Sequence, residues 1–353
     1  MPPKAKPDTA SYQKLKKDLA SGTVGKLYLF HGEETYLRDY YLNRLKELVV
    51  GGGMEEFNLH VLQGKDLTPH RLEETVDCLP MMSQRTLILV YDCDLWKAGE
   101  QDREAYRAIL SDLPDYCCLV FIYDLIAYKP DARTKLAAVW KQHGSVVSFA
   151  RQEQGDLIDW MKRRFRAIGK DIDSELCRYL LFLCGDLMNG LIGEIEKIGA
   201  YAKGARVTRE DIDAVATPQL DAVVFRMTDA IGAGDFDQAA AVLGDLLRMQ
   251  EPPIKILFSL GKQMRQLYSA RLALEQHKRA TDLMEVWGLR NSYPAERLMT
   301  SARRFSLAWC RWAVVRCGET DLSMKSSGAD GREQLIQLLL ELAGTPGKGA
   351  QTR

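Results

Sequence analysis

The sequence predicts a chain of two fold classes: a parallel α/β sheet domain over residues 1–150, followed by all-α domains. Near-continuous apolar runs such as TLILVY and CLVFIY alternate with helical segments in the first part, as is typical of strands buried on both faces of a parallel sheet. After Phe149 no strand pattern follows. A third observation is an apolar strand that runs through a glycine into a helix, beginning at Lys26.

The first domain is predicted to hold five strands, at Leu27–His31, Phe57–Leu62, Thr86–Tyr91, Cys118–Tyr123 and Val146–Phe149. Helices are predicted between them, at Tyr36–Val49, Pro69–Cys78, Gln101–Ser111 and Ala132–Gln142. Strands that alternate with helices in this way indicate a parallel sheet covered on both sides.

Two helical domains are predicted next, over residues 151–217 and 218–343, with a disordered tail over 344–353. In the smaller domain Asp173 and Thr208 are predicted N-caps, and Gly169 and Gly185 are predicted helix ends. The smaller domain's predicted helices are Leu157–Ile168, Ser174–Cys184, Asn189–Tyr201 and Arg209–Val215. Those of the larger domain are Ala222–Ile231, Phe236–Met249, Pro253–Glu275, Ala280–Trp287, Pro294–Arg316 and Gly331–Ala343.

Composition describes a globular chain of 353 residues with 48 basic and 48 acidic side chains. Zero net charge argues against polyanion binding by bulk electrostatics. None of the eight cysteines forms a C-x-x-C pair, which is typical of reduced core thiols. The polar N-terminus lacks the apolar region of a signal peptide, and no apolar run reaches the ~18–20 residues of a membrane span. These features predict a soluble, cytoplasmic protein with no membrane partner.

The strand–glycine–helix segment has the layout of a phosphate-binding loop without its ligands. A working loop reads G-x-x-x-x-G-K-[ST], because backbone N–H groups and the Lys bind the phosphates. Here Gly32 is followed by Glu33 and Glu34, and no Lys comes after them. We therefore expect Gly32, Glu33 and Glu34 to form a degenerate loop that binds no nucleotide.

The most informative turn is Leu79-Pro80-Met81-Met82-Ser83, between a predicted helix and the strand at Thr86. Two adjacent methionines in a short turn cannot both point into one core, and Met suits contact surfaces. The alternative is that both side chains fold back as core filler. The residues alone leave both interpretations open.

Three other groups of side chains are candidate sites: two acids, the histidines and a set of arginines. Asp92 and Asp94 follow a strand where a metal-binding acid would lie, but a solvated strand end is the simpler interpretation. The five histidines show no catalytic or metal-ligand spacing, so no catalytic residue and no metal site is predicted. In the helix predicted at Pro294–Arg316, Arg297, Arg304 and Arg311 would share one basic face. Such a face would touch phosphates or simply be solvated.

Four segments, taken in order, resemble the delta subunit of the bacterial DNA polymerase III clamp loader. They are KLYLFHGEETYLR, LPMMSQRTLILV, GDLMNGLIGEIEKIGAYA and DLSMKSSGADGREQLIQLLLELA, and the likeness runs from about Leu27 to Ala343. The resemblance implies an AAA+-like first domain without a functional P-loop, a small helical domain and a C-terminal helical collar.

It also implies a function without catalysis and without a cofactor. The family inserts an apolar turn into the beta sliding clamp and opens the ring for loading onto primed DNA, while neighbouring gamma/tau subunits bind ATP. The collar joins gamma/tau and delta-prime. The clamp contacts carried over to this sequence are Leu79, Pro80, Met81 and Met82, although the two bulky positions are often aromatic in relatives.

Two alternatives from other classes remain. An atypical P-loop-like NTPase would bind nucleotide, and a helix-turn-helix DNA-binding protein would bind duplex DNA in a salt-sensitive way. Within the clamp-loader interpretation, a set of basic residues is assigned to primer-template DNA: Lys129, Arg133, Lys135, Arg297, Arg304 and Arg311.

Overall fold

The structure, a computed structural model, describes residues 9–51, 53, 55–289, 291–326, 328 and 330–344. It forms two compact units. One runs to Gln152 and takes in Leu187–Asn189, and the other holds Glu153–Asp186 and the chain from Gly190 onward. The four predicted domain ranges stay predictions. Most of the predicted disordered tail, 345–353, lies outside the described residues.

The first unit contains a five-stranded sheet that is parallel at every pairing. Its strands are β1 (Leu27–His31), β2 (Leu59–Gln63), β3 (Thr86–Tyr91), β4 (Cys117–Ile122) and β5 (Ser145–Ser148). They lie side by side in the order β2-β3-β4-β1-β5. The predicted α/β fold class with a parallel five-stranded sheet is confirmed.

Six helices flank these strands, and two of them, the first and the third, were not predicted. They are α1 (Thr9–Ala20), α2 (Thr35–Val50), α3 (Glu55–Asn58), α4 (Pro69–Val76), α5 (Glu100–Ser111) and α6 (Lys135–His143). The unpredicted α1 buries Leu15 and Leu19, four residues apart on one face. The strand predicted at Phe57–Leu62 begins only at Leu59, because the preceding residues form α3.

Both faces of the sheet are buried, as its apolar runs predict. In β1, Leu27 and Leu29 pack into one core, while Tyr28 and Phe30 pack into the core on the other side. Successive side chains of a strand point to opposite faces, so a run without polar positions needs cover on both.

The second unit is entirely helical in its named elements. Its helices are α7 (Gln154–Ala167), α8 (Ser174–Cys184), α9 (Met188–Tyr201, whose first two residues belong to the first unit), α10 (Arg209–Val215), α11 (Leu220–Ala233), α12 (Phe236–Arg248), α13 (Pro253–Glu275), α14 (Ala280–Trp287), α15 (Ser292–Ala302), α16 (Leu307–Ser326) and α17 (Gly331–Gly344). Asp173 and Thr208 cap α8 and α10 as predicted. A large core forms chiefly among α11, α12, α13, α15, α16 and α17.

The single helix predicted at Pro294–Arg316 is wrong, since the chain forms α15 and α16 with a break between them. Ser306 starts the second helix: its Oγ accepts a hydrogen bond from the backbone N–H of Trp309. Phe305, in the break, is buried and stacks on Trp309 with ring centroids 4.3 Å apart. A capping serine that satisfies a free N–H favours a new helix start over continuation.

Among the helices that the structure describes, none alone has the length and apolar character of a membrane span, and one sharply bent pair, α8 with α9, passes only when taken together. All eight cysteines are unpaired thiols.

Candidate partner-binding site

The turn at residues 79–83 presents apolar side chains to solvent. Leu79 is 71% exposed, Met81 57% and Met82 88%. The turn lies between the end of α4 and the start of β3, at the edge of the sheet where the strands begin. The alternative that both methionines fill the core is therefore wrong, because neither side chain is buried.

The backbone of this turn is held from beneath by Asn58, the last residue of α3. The Asn58 side chain is fully buried. Its Nδ2 donates to the carbonyl oxygen of Met81 at 2.9 Å, and its Oδ1 accepts from the Met81 N–H at 2.7 Å. Met82 has a positive φ of 51°, a conformation that costs energy for a residue with a side chain. Sequence reasoning placed Asn58 in a strand and missed this role.

A second residue ties the base of the turn to neighbouring loops. The Arg85 guanidinium donates to the carbonyl oxygen of Val24 at 2.9 Å and to that of Asp115 at 3.2–3.3 Å. The Arg85 backbone N–H also donates to Ser83 Oγ at 3.5 Å. The exposed apolar side chains thus stand on a backbone that hydrogen bonds hold at Met81 and at Arg85.

At the opposite edge of the sheet, the glycine loop packs against the protein's own backbone. Gly32 has φ +129°, and a Cβ there would lie 2.3 Å from the carbonyl oxygen of Phe149. The same oxygen accepts a hydrogen bond from the Glu34 N–H at 2.9 Å. Glycine at position 32 lets the chain after β5 approach this closely, and the Glu34 N–H is used by the carbonyl oxygen of Phe149.

The two carboxylates of the loop also have partners. Glu33 pairs with Arg151 at 2.6 Å. Glu34 is only 1% exposed, and its carboxylate accepts a bond from the Met188 N–H at 3.4 Å. Beside it, Asn189 Nδ2 donates to Thr35 Oγ1 at 2.5 Å. The loop therefore holds negative charge where a polyphosphate would require positive charge.

Asp92 lies half-buried directly after β3 and is an internal hydrogen-bond acceptor, a role that the sequence did not predict. Its Oδ1 accepts from the consecutive backbone N–H groups of Asp124, Leu125 and Ile126, at 2.8, 2.8 and 3.2 Å. A carboxylate oxygen that accepts several N–H groups stabilises a tight loop. The second candidate acid, Asp94, pairs with Lys97 at 2.8 Å.

Arg38 pairs with an acid of the same loop and with its own neighbour in the chain. Arg38 Nη1 contacts Asp124 at 2.5 Å, and its Nε contacts Asp39 at 2.9 Å. Burial opposes the guanidinium charge, but the hydrogen bonds to Asp124 and Asp39 outweigh it and raise the pKa of Arg38. This cation is committed to carboxylates of the protein.

The basic residues proposed from the sequence are divided between the two units. Lys129 and Arg133 lie on the segment leading into α6, and Lys135 is the first residue of that helix. Arg133 pairs with Asp131 at 3.1 Å.

The predicted arginine face of the second unit is wrong. Arg297 is on α15, Arg304 is in the break and Arg311 is on α16. Arg297 also pairs with Asp229 at 2.6 Å.

No group of three or more His, Cys, Asp or Glu side chains in the described part of the chain could hold a metal ion. His31 is mostly buried, its ring lies 4.5 Å from that of Tyr128, and burial lowers its pKa to about 4. The imidazole is therefore neutral near pH 7 and serves packing.

These features define a class of protein: a parallel α/β domain that keeps the strand–glycine–helix layout of a P-loop without the residues that bind phosphate, joined to helical segments. A family model described as DNA polymerase III, delta subunit, matches residues 28–150. A second, described as the DNA polymerase III delta subunit, C-terminal domain, matches residues 221–342. The chain belongs to the DNA polymerase III delta subunit family.

Individual relatives agree with this assignment. DNA polymerase III subunit delta of Bacillus subtilis is 25% identical over 338 residues, covering 92% of this chain and 94% of that protein. The probable DNA polymerase III subunit delta of Aquifex aeolicus is 24% identical over 293 residues, covering 81% and 82%. The solved Bacillus subtilis DNA clamp loader delta protein is similar in fold, with a TM-score of 0.55, 22% identity and coverage of 94% and 99%.

Proposed function

We propose that this delta subunit binds the beta sliding clamp through the turn Leu79–Met82 and opens the ring for loading onto primed DNA. One observation carries the proposal: three apolar side chains of this turn are exposed on an anchored backbone. Clusters of exposed apolar side chains are typical of partner sites. The turn is also the segment at which the sequence resembles the clamp-contacting turn of the family.

Ring opening follows if the turn binds the distorted edge of the clamp better than the closed one. A ligand shifts such an equilibrium only by its difference in affinity for the two states. Burial of the methionines supplies binding energy, about 1.5–3 kcal/mol for a fully buried Met side chain, less the cost of ordering. The subunit then needs no hydrolysis of its own.

The proposal includes no cofactor and no catalytic residue in this chain. Glu33 and Glu34 place negative charge in the loop, and Arg151, Arg38 and Asp92 already bind protein groups. We assign ATP binding to gamma/tau subunits of the same loader, which with delta-prime contact the C-terminal helices. Primer-template DNA is held within this assembly, in the cytoplasm.

The test is binding of the purified chain to its cognate beta clamp by surface plasmon resonance without nucleotide. The double variant Met81→Ala/Met82→Ala is compared with Met249→Ala, which removes a similarly exposed methionine (74%) from the other unit. We expect nanomolar-to-micromolar binding that only the double variant loses. Unchanged binding by the double variant would move the site elsewhere, and no binding by the folded wild type would contradict the function.

Ring opening and nucleotide independence have separate readouts. A fluorophore pair across one interface of the clamp should separate on addition of the wild type but not of the double variant. A fluorescent ATP analogue should not bind the chain, whereas saturable binding would favour the NTPase alternative.

A further inference from the structure

We propose that Asn58 is a positioning residue for the clamp-binding turn: it presents the methionines without contacting the clamp itself. This inference rests on the proposed function. A buried side chain outside the turn would then control the affinity of the turn for the clamp.

The contact is specific to a carboxamide. Asn58 bonds both the N–H and the carbonyl of Met81, at 2.7 and 2.9 Å, with one acceptor and one donor. Among side chains of this length, only the amide of Asn offers both groups side by side. The pair of hydrogen bonds imitates a neighbouring strand for one residue, Met81, which lies 23 residues further along the chain.

Asn58 itself is held in place by the β-sheet. It directly precedes β2, whose first residue, Leu59, lies opposite Leu87 of β3 in the parallel ladder. The turn enters that same strand β3 a few residues after Met82. The two sides of the contact are therefore fixed by one pair of hydrogen-bonded strands.

The turn has little else to hold its apex in place. Leu79, Met81 and Met82 are mostly exposed, so side-chain packing contributes little. Met82 also has the unfavourable positive φ, and such a conformation persists only where its surroundings enforce it. A turn already held in its binding conformation loses less entropy on binding.

The test compares Asn58→Ala and Asn58→Asp with the wild type in the clamp-binding assay. Asn58→Asp keeps an acceptor for the Met81 N–H but removes the donor to the Met81 carbonyl. We expect clamp affinity to fall about 10- to 100-fold for Asn58→Ala, since the N–H and the carbonyl of Met81 both lose their partner. The matched control is Asn189→Ala, which removes an amide bonded to Thr35 at the opposite edge of the sheet.

Two readouts separate positioning from general stability. Hydrogen exchange of the Met81 amide should speed up in Asn58→Ala while amides of β1 and β4 keep their protection. In addition, the loss of clamp affinity caused by Asn58→Ala should be smaller on a Met82→Ala background, because one of the side chains that Asn58 positions is then missing.

The outcomes distinguish the two proposals. No clamp binding by the wild type contradicts the proposed function. If the wild type binds and Asn58→Ala binds within twofold of it, the positioning role is overturned. The role is also overturned if both Asn58 variants lose exchange protection across the whole sheet, or if the effect keeps its full size on the Met82→Ala background.

Discussion

The two methionines should contribute unequally to clamp binding, in proportion to the surface that each still exposes. The change is Met82→Ala or Met81→Ala, each made alone. Because Met82 is 88% exposed and Met81 57%, Met82 has more apolar area to bury against a partner.

The magnitude follows from the transfer free energy of a methionine side chain. Full burial contributes about 1.5–3 kcal/mol, so the exposed parts correspond to about 1.3–2.6 kcal/mol for Met82 and about 0.9–1.7 kcal/mol for Met81. These values predict affinity losses of roughly 10- to 80-fold and roughly 4- to 17-fold. The free energy of unfolding should change by less than about 1 kcal/mol, since neither side chain packs in the core.

The assay is calorimetric titration of each variant into the cognate clamp, with urea unfolding of the same preparations. Met249→Ala again serves as the matched control. Equal losses from the two variants, or a larger loss from Met81→Ala, would refute the argument from exposed area. A loss of folding stability that parallels the loss of affinity would refute it as well.

Three further predictions concern the stability of the first unit. Gly32→Ala should lower the free energy of unfolding by about 1–3 kcal/mol from backbone strain alone, and the contact of the new Cβ with Phe149 should lower it further. Gly99→Ala is the control, because a Cβ there meets nothing within 4 Å. Equal urea midpoints for the two variants would contradict this prediction. Asp92→Ala should lower the free energy of unfolding by about 1–3 kcal/mol, because three N–H groups lose one acceptor. Hydrogen exchange at residues 124–126 should accelerate, and unchanged exchange there would count against the prediction. Since the folded-state pKa of His31 is lowered to about 4 from 6.5, the unfolded state binds the proton first, so stability present above pH 6.5 is lost as the pH falls toward 4. The wild type should be about 2 kcal/mol less stable at pH 5 than at pH 7.5, and a His31→Gln variant with the same pH dependence would show that another group is responsible.

Local patterns were sufficient for much of the fold. The strands Leu27–His31 and Thr86–Tyr91 and the helix Ser174–Cys184 lie where the sequence predicts them, because apolar periodicity and capping residues act over a few positions. The degenerate loop at Gly32 was also readable, since a missing Lys is a property of the chain itself. Short segments were less predictable: the single turn of helix before Leu59 and the break before Ser306 each depend on a few residues that compete with a longer pattern.

The site shows most clearly where the sequence stops being sufficient. The sequence determined that two adjacent methionines follow Pro80, but not whether they face the core or solvent. Their burial depends on how the sheet places α4 and β3. The sequence also determined that Asn58 and Asp92 are polar residues beside strands, whereas only the tertiary structure paired them with Met81 and with residues 124–126. Hydrogen bonds between groups 23 or more residues apart exist only after chain topology has brought those groups together, and no local preference encodes them.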